Sequence, residues 1–177
     1  KDWIQFRFDG ALYTDKPPLY FWLVGLIRIV TGNYSLFSIG LFICVIPAII
    51  IGIDMYRLLL DNGYKNKNAF TVVLIMDTFL YFIGSSVVIR MDILMMVFIT
   101  KAVIWFYNIV EGKKDKYYVP YIYMGIVFLI KGLAAVFIPL SVVIVYLFVT
   151  KQKDKIKKLK LLKGLFIVIL FVLIWII

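Results

Sequence analysis

The sequence predicts an all-α membrane protein, a polytopic bundle of transmembrane helices with a short interfacial helix near its start. Three observations predict it. Hydrophobic residues make up 64% of the 177 positions and mean hydropathy is +1.00, where a soluble domain has roughly 45–50% apolar residues. Stretches carrying no charge or a single one cover 29–53, 68–89, 93–110, 117–150 and 164–177, and a spanning helix needs about 20 apolar residues. The basic residues between these stretches gather in short clusters: Arg57, Lys65 and Lys67; Lys113, Lys114 and Lys116; and the run from Lys151 to Lys163. Short basic loops stay on the cytoplasmic side, so the net charge of +10 reads first as topology.

With all three clusters inside, the elements can be placed in order. Residues 1–32 lie outside, with 18–31 as a short helix along or dipping into the outer interface. The run 33–56 descends to the first cluster. Residues 68–111 form two helices with an outer turn near Ser85–Asp92. Residues 117–150 form a hairpin with its apex near Lys131–Pro139, each leg about 24 Å long as helix. Residues 151–163 alternate lysines with Ile156, Leu159, Leu161 and Leu162, as an inner interfacial segment drawn to anionic lipid does. That run has no interleaved aromatics, so a nucleic-acid partner is not expected. The chain opens on Lys1 and ends in the apolar run 164–177, so further sequence is expected at both ends. Residues 1–177 are read as part of one transmembrane domain, without an internal repeat, and residues 1–18 carry too much charge for a signal peptide.

Absences narrow the chemistry. There is no His, which removes a Ser-His-Asp triad, an imidazole base and a His metal ligand. The single cysteine, Cys44, lies in an apolar run and reads as a buried small hydrophobe. Gly112-Lys113-Lys114 lacks the spacing and hydroxyl of a phosphate-binding loop.

Three polar spots fall on the outer face. In Asp15-Lys16-Pro17-Pro18-Leu19-Tyr20, proline keeps Lys16 out of helix and Pro18 suits a first helical position. Free N–H groups beside the Lys16 ammonium make an anion site suited to a lipid-linked phosphate; equally, this is a proline-started interfacial helix with a snorkelling lysine. In Arg90-Met91-Asp92, Asp92 is either a helix-start acid or a general base at the mouth of a cavity, with Arg90 holding it or a phosphate. Lys131, before Gly132, is costly in hydrocarbon and should face a polar cavity or the outer surface. Asp77, nine residues past Asn68, and Lys101, ten before Glu111, should lie at one depth and pair across two helices. Asp54 and Arg57 are spaced to pair locally. Asn33-Tyr34-Ser35 has the form of a glycosylation acceptor.

The order of these motifs resembles a known family. Asp2-Trp3, Phe8-Asp9-Gly10 and Tyr13-Thr14-Asp15-Lys16-Pro17-Pro18-Leu19-Tyr20-Phe21-Trp22 look like the first external loop of the bacterial polyprenyl-phosphate-dependent glycosyltransferases. These include aminoarabinose transferases of lipid A and related protein mannosyltransferases. Arg90-Met91-Asp92 fits the family's later Arg-x-Asp, and Lys131-Gly132 its Lys-Gly segment; the likeness spans nearly all of residues 2–150. The resemblance implies a GT-C bundle with an external domain and a first catalytic acid, neither within this chain. It also implies Lys16 and Lys131 as phosphate contacts, Asp92 in the catalytic cavity, and Asp15 at an acidic position associated with a divalent metal. The Arg that often follows the first short helix is not evident in residues 34–38.

The activity implied by this resemblance is transfer of a sugar from a polyprenyl-phosphate donor to a glycan, lipid or protein acceptor. The site would face outside, in the periplasm, from a bacterial inner membrane, among membrane lipids. The competing class is a non-enzymatic transporter or flippase of lipid-linked sugars, in which the lysines bind phosphate and no bond is made.

Overall fold

The computed structural model describes residues 3, 6–8, 11–13, 15–32 and 36–176. Asp2, Asp9-Gly10, Thr14 and the Asn33-Tyr34-Ser35 acceptor lie outside the described residues. The fold is an all-α membrane helix bundle, as the sequence predicts, with one small β-ladder added. Strands β1 (Arg7–Phe8) and β2 (Ala11–Leu12) pair antiparallel with Arg7 opposite Leu12. The ladder folds back onto helix α1 (Leu19–Thr31). The Trp22 indole donates to the Trp3 carbonyl at 2.7 Å, and Phe6 and Tyr13 pack their rings on Phe21.

Helix α2 (Leu36–Gly40), a π-helical turn at Leu41–Val45 and helix α3 (Ile46–Asp61) form one rod of 26 residues, long and apolar enough to cross a membrane. The widened turn has a local cause. Pro47 at the start of α3 has no N–H and crowds the carbonyl four residues back; the Ile46 N–H reaches Leu41 O instead. Cys44 in this turn is fully buried, and its thiol donates to Val88 O at 3.3 Å.

Helices α4 (Asn66–Asp77) and α5 (Leu80–Val87) replace the straight first leg expected of residues 68–111. They meet at a 69° bend. At the bend the Thr78 hydroxyl turns back to Ile75 O at 2.8 Å and Phe79 is extended, so the helical ladder stops. The return leg, α6 (Met91–Val110), is unbroken, and its 20 residues are long enough to span. The turn between the two legs therefore falls at Val88–Arg90, inside the predicted range.

Helices α7 (Tyr118–Lys131) and α8 (Leu133–Val149) form the short hairpin, with 14 and 17 residues. Their break is Gly132, at φ +86° and ψ −164°, a region open essentially to glycine alone. Lys153–Leu159 make a 3₁₀ turn, ended by Lys160 in a left-handed conformation, before α9 (Leu161–Ile176). Among the described residues only α2–α3 and α6 reach spanning length unbroken, with the bent pair α4–α5 as a third. The hairpin legs α7 and α8 are short, as expected of residues 117–150.

Two apolar clusters hold the bundle. One joins the later half of α6 to α7, α8 and α9 through Phe106, Tyr121, Met124, Leu147 and Val168. The other joins α1 and the α2–α3 rod to the start of α6 through Ile43, Ile51, Ile93 and Leu94, and it includes Ile130 of α7. Leu19 packs against both. Outward faces stay apolar, with Val149 75% and Leu162 87% exposed, as lipid-facing surfaces require.

Candidate functional site

Asp92 is the second residue of α6 and Lys131 the last of α7. The N-terminal turn of a helix favours an anion and the C-terminal turn a cation, so each group stands where its own helix stabilises it. The Lys131 ammonium donates to Asp92 Oδ1, and Arg90 Nε lies 3.9 Å from Asp92 Oδ2. The carboxylate thus sits between two cations, and its side chain remains 28% exposed. It opens onto a groove of about 390 Å³ lined by Leu80, Tyr81, Gly84, Ser85, Val88 and Arg90. Tyr81 and Ser85 come from α5 and were not marked by any sequence pattern. They reach the groove because of the bend before α5.

The Lys-Pro-Pro element begins α1. Pro17 and Pro18 are buried, Lys16 is half-buried and Asp15 is exposed. Pro18 already has helical φ and ψ, and its carbonyl accepts the Trp22 N–H at 3.0 Å. Tyr20 lies beside Cys44. Burial, and then that thiol, push the Tyr20 hydroxyl above the ordinary tyrosine range, so it stays a neutral donor near neutral pH. Cys44 bonds in turn to Val88, two residues before Arg90. The element therefore packs against the neighbourhood of the groove. Lys16 itself makes no hydrogen bond or ion pair among the described residues. The structure joins Arg90, Asp92 and Lys131 and leaves Lys16 outside that network.

Two expected ion pairs are corrected. Lys101 does not pair with Asp77; it donates to Asp54 Oδ2 at 2.6 Å. The depth count assumed that the helix carrying Asp77 packs on α6; instead α4 packs on α3, and it is α3 that packs on α6. Asp77 instead packs on Gly52, with its Oδ1 buried and without a hydrogen-bond partner among the described residues. Asp54 is consequently taken by Lys101 across α3 and α6 rather than by Arg57 one turn away: a cross-helix pair compensates two partly buried charges, whereas exposed Arg57 needs no partner. Cys44 is buried and free, as expected.

A metal finds little support in this donor set. Among the described residues no three His, Cys, Asp or Glu side chains come together, and Asp15 is a single exposed carboxylate. The described residues do not by themselves compose a metal site, and no chemical step is derived through one.

Comparison with known families gives one match. A family model described as dolichyl-phosphate-mannose-protein mannosyltransferase matches residues 15–177, a span containing Asp15, Lys16, Arg90, Asp92 and Lys131. No curated protein and no solved structure matches the chain.

Proposed function

Because the chain belongs to the dolichyl-phosphate-mannose-protein mannosyltransferase family, and is thereby a membrane glycosyltransferase of the GT-C type, we propose that it moves a sugar from a polyprenyl-phosphate donor to an acceptor hydroxyl on a glycan, lipid or protein. The site faces the periplasm from a bacterial inner membrane, opposite the basic clusters.

One observation carries this reading: Asp92 is held between Lys131 and Arg90 at the edge of the groove. A donor phosphate entering the groove competes for both cations, and as they turn to it the carboxylate is released. The acceptor oxygen then attacks the anomeric carbon, and the bond from that carbon to the phosphate oxygen breaks. Asp92 takes the acceptor's proton. Lys131, Arg90 and Lys16 stabilise the charge growing on the departing polyprenyl phosphate.

Asp92→Asn in the full-length protein tests the assignment. The expected result is a loss of transfer of about 10²-fold or more, with binding of the lipid-phosphate donor retained. Unchanged transfer would overturn the role given to Asp92.

A further inference from the structure

At the end of α6 away from Asp92, about 30 Å along the helix, lies a second hollow of about 480 Å³. Its charged lining comes from two elements far apart in the chain. Lys113, Lys114 and Asp115 belong to the α6–α7 link, and Lys158 and Lys160 to the 3₁₀ turn and its cap.

The backbone that carries Lys158 and Lys160 is held in place. Leu159, between Lys158 and Lys160, is fully buried, and its carbonyl accepts the Tyr121 hydroxyl at 2.8 Å. Lys160 takes a left-handed backbone, φ +48°, which is uncommon for a side chain other than glycine. Its ammonium lies 4.4 Å over the Tyr117 ring, and that of Lys114 lies 4.1 Å over Trp105. Lys113 is turned toward the end of α3, donating to Asp61 O and Asn62 Oδ1. Lys158 has no partner among the described residues. With Lys113 turned away, the ammonium groups of Lys114, Lys158 and Lys160 repel one another at this hollow, and the single acid, Asp115, does not balance them. An anion with several acceptor oxygens does. Trp and Tyr mark headgroup depth in a membrane bundle, and the rings under Lys114 and Lys160 are those of Trp105 and Tyr117.

We infer that this hollow is a binding site for a phosphate group, filled by the headgroup of an anionic phospholipid of the leaflet opposite the Asp92 groove. It is a discrete site and differs from the diffuse attraction of the whole lysine run. It does not depend on the transfer chemistry.

Native mass spectrometry of the full-length protein, with phosphatidylglycerol and phosphatidylcholine in equal amounts, tests it. The unaltered protein should retain phosphatidylglycerol preferentially. The double variant Lys158→Gln/Lys160→Gln should weaken that retention about tenfold or more, and Lys114→Gln, on the other element, should weaken it too. The control double Lys155→Gln/Lys157→Gln removes the same charge from the same turn outside the lining and should leave it unchanged. Equal losses in the two doubles would reduce the effect to diffuse charge and overturn the site. No loss in the lining variants would do the same. Displacement of the lipid by millimolar inorganic phosphate would assign the hollow to a soluble phosphate and overturn the lipid headgroup as its occupant.

Discussion

Lys131, closing α7, places its ammonium on the carboxylate of Asp92, 39 residues earlier at the start of α6. Two helices that meet elsewhere through apolar side chains are joined here by charge. Both groups are partly exposed, so the pair is worth less than a fully buried one. Lys131→Ala should destabilise the protein by about 1–2 kcal/mol, read from detergent melting curves. It should also weaken donor binding about tenfold, and Lys131→Arg should recover part of that affinity. Donor affinity unchanged in Lys131→Ala would remove Lys131 from the phosphate site.

The Lys101–Asp54 pair has a different signature. It links α3 to α6 at 2.6 Å with side chains only 28% and 15% exposed. Removing one partner strands the other charge, so each single alanine should cost about 3 kcal/mol and the double less than the sum. A thermal double-mutant cycle measures the coupling. The same cycle on Lys101 and Asp77 should show none; a large value there would reinstate the pairing the sequence first implies.

Helices α7 and α9 approach through two glycines. A Cβ built on Gly164 would overlap the Tyr121 ring, and one on Gly125 the Phe171 ring. Tyr121 is buried and tied by its hydroxyl to Leu159, so it cannot move aside. Gly164→Ala should therefore cost about 1–3 kcal/mol by overpacking. Gly125→Ala should be relieved by Phe171→Leu. Gly52→Ala is the contrasting case: its Cβ would meet Asp77 and Val73 at 3.6 Å, ordinary contact, and the melting temperature should hold.

Gly132 isolates a backbone effect. A Cβ there meets nothing within 4 Å, so the cost of Gly132→Ala comes from its dihedral angles alone, about 1–3 kcal/mol. Because Lys131 precedes it, the same change should disturb donor binding more than Gly63→Ala, also sterically free and at positive φ, does. Equal binding in the two variants would separate Gly132 from the site.

The apolar stretches and the outer turn are legible in the sequence because hydropathy and charge are properties of composition, read without geometry. The α2–α3 rod, α6 and the contact of Arg90 with Asp92 follow from them. The ion pairs are not legible in this way. Placing Asp77 beside Lys101 requires that their two helices pack on each other, and hydropathy gives no sign that α4 packs on α3 and α3 on α6. Asp54 and Arg57 have helical spacing, but spacing cannot show that a lysine from α6 arrives first. The link between Asp92 and Lys131 is long-range, and only their common placement on the outer face hinted at it. The ladder at residues 7–12 is two residues per strand, too short for an alternation pattern to appear.

The brevity of α7 has a consequence for the room at its end. Fourteen residues reach about 21 Å, and the hydrocarbon layer of a bilayer is about 30 Å thick. Most of α7 is buried among its neighbours, so the missing length falls inside the bundle and not against lipid. At the end that carries Lys131 the shortfall leaves a step, level with the ion pair, that headgroups and water enter.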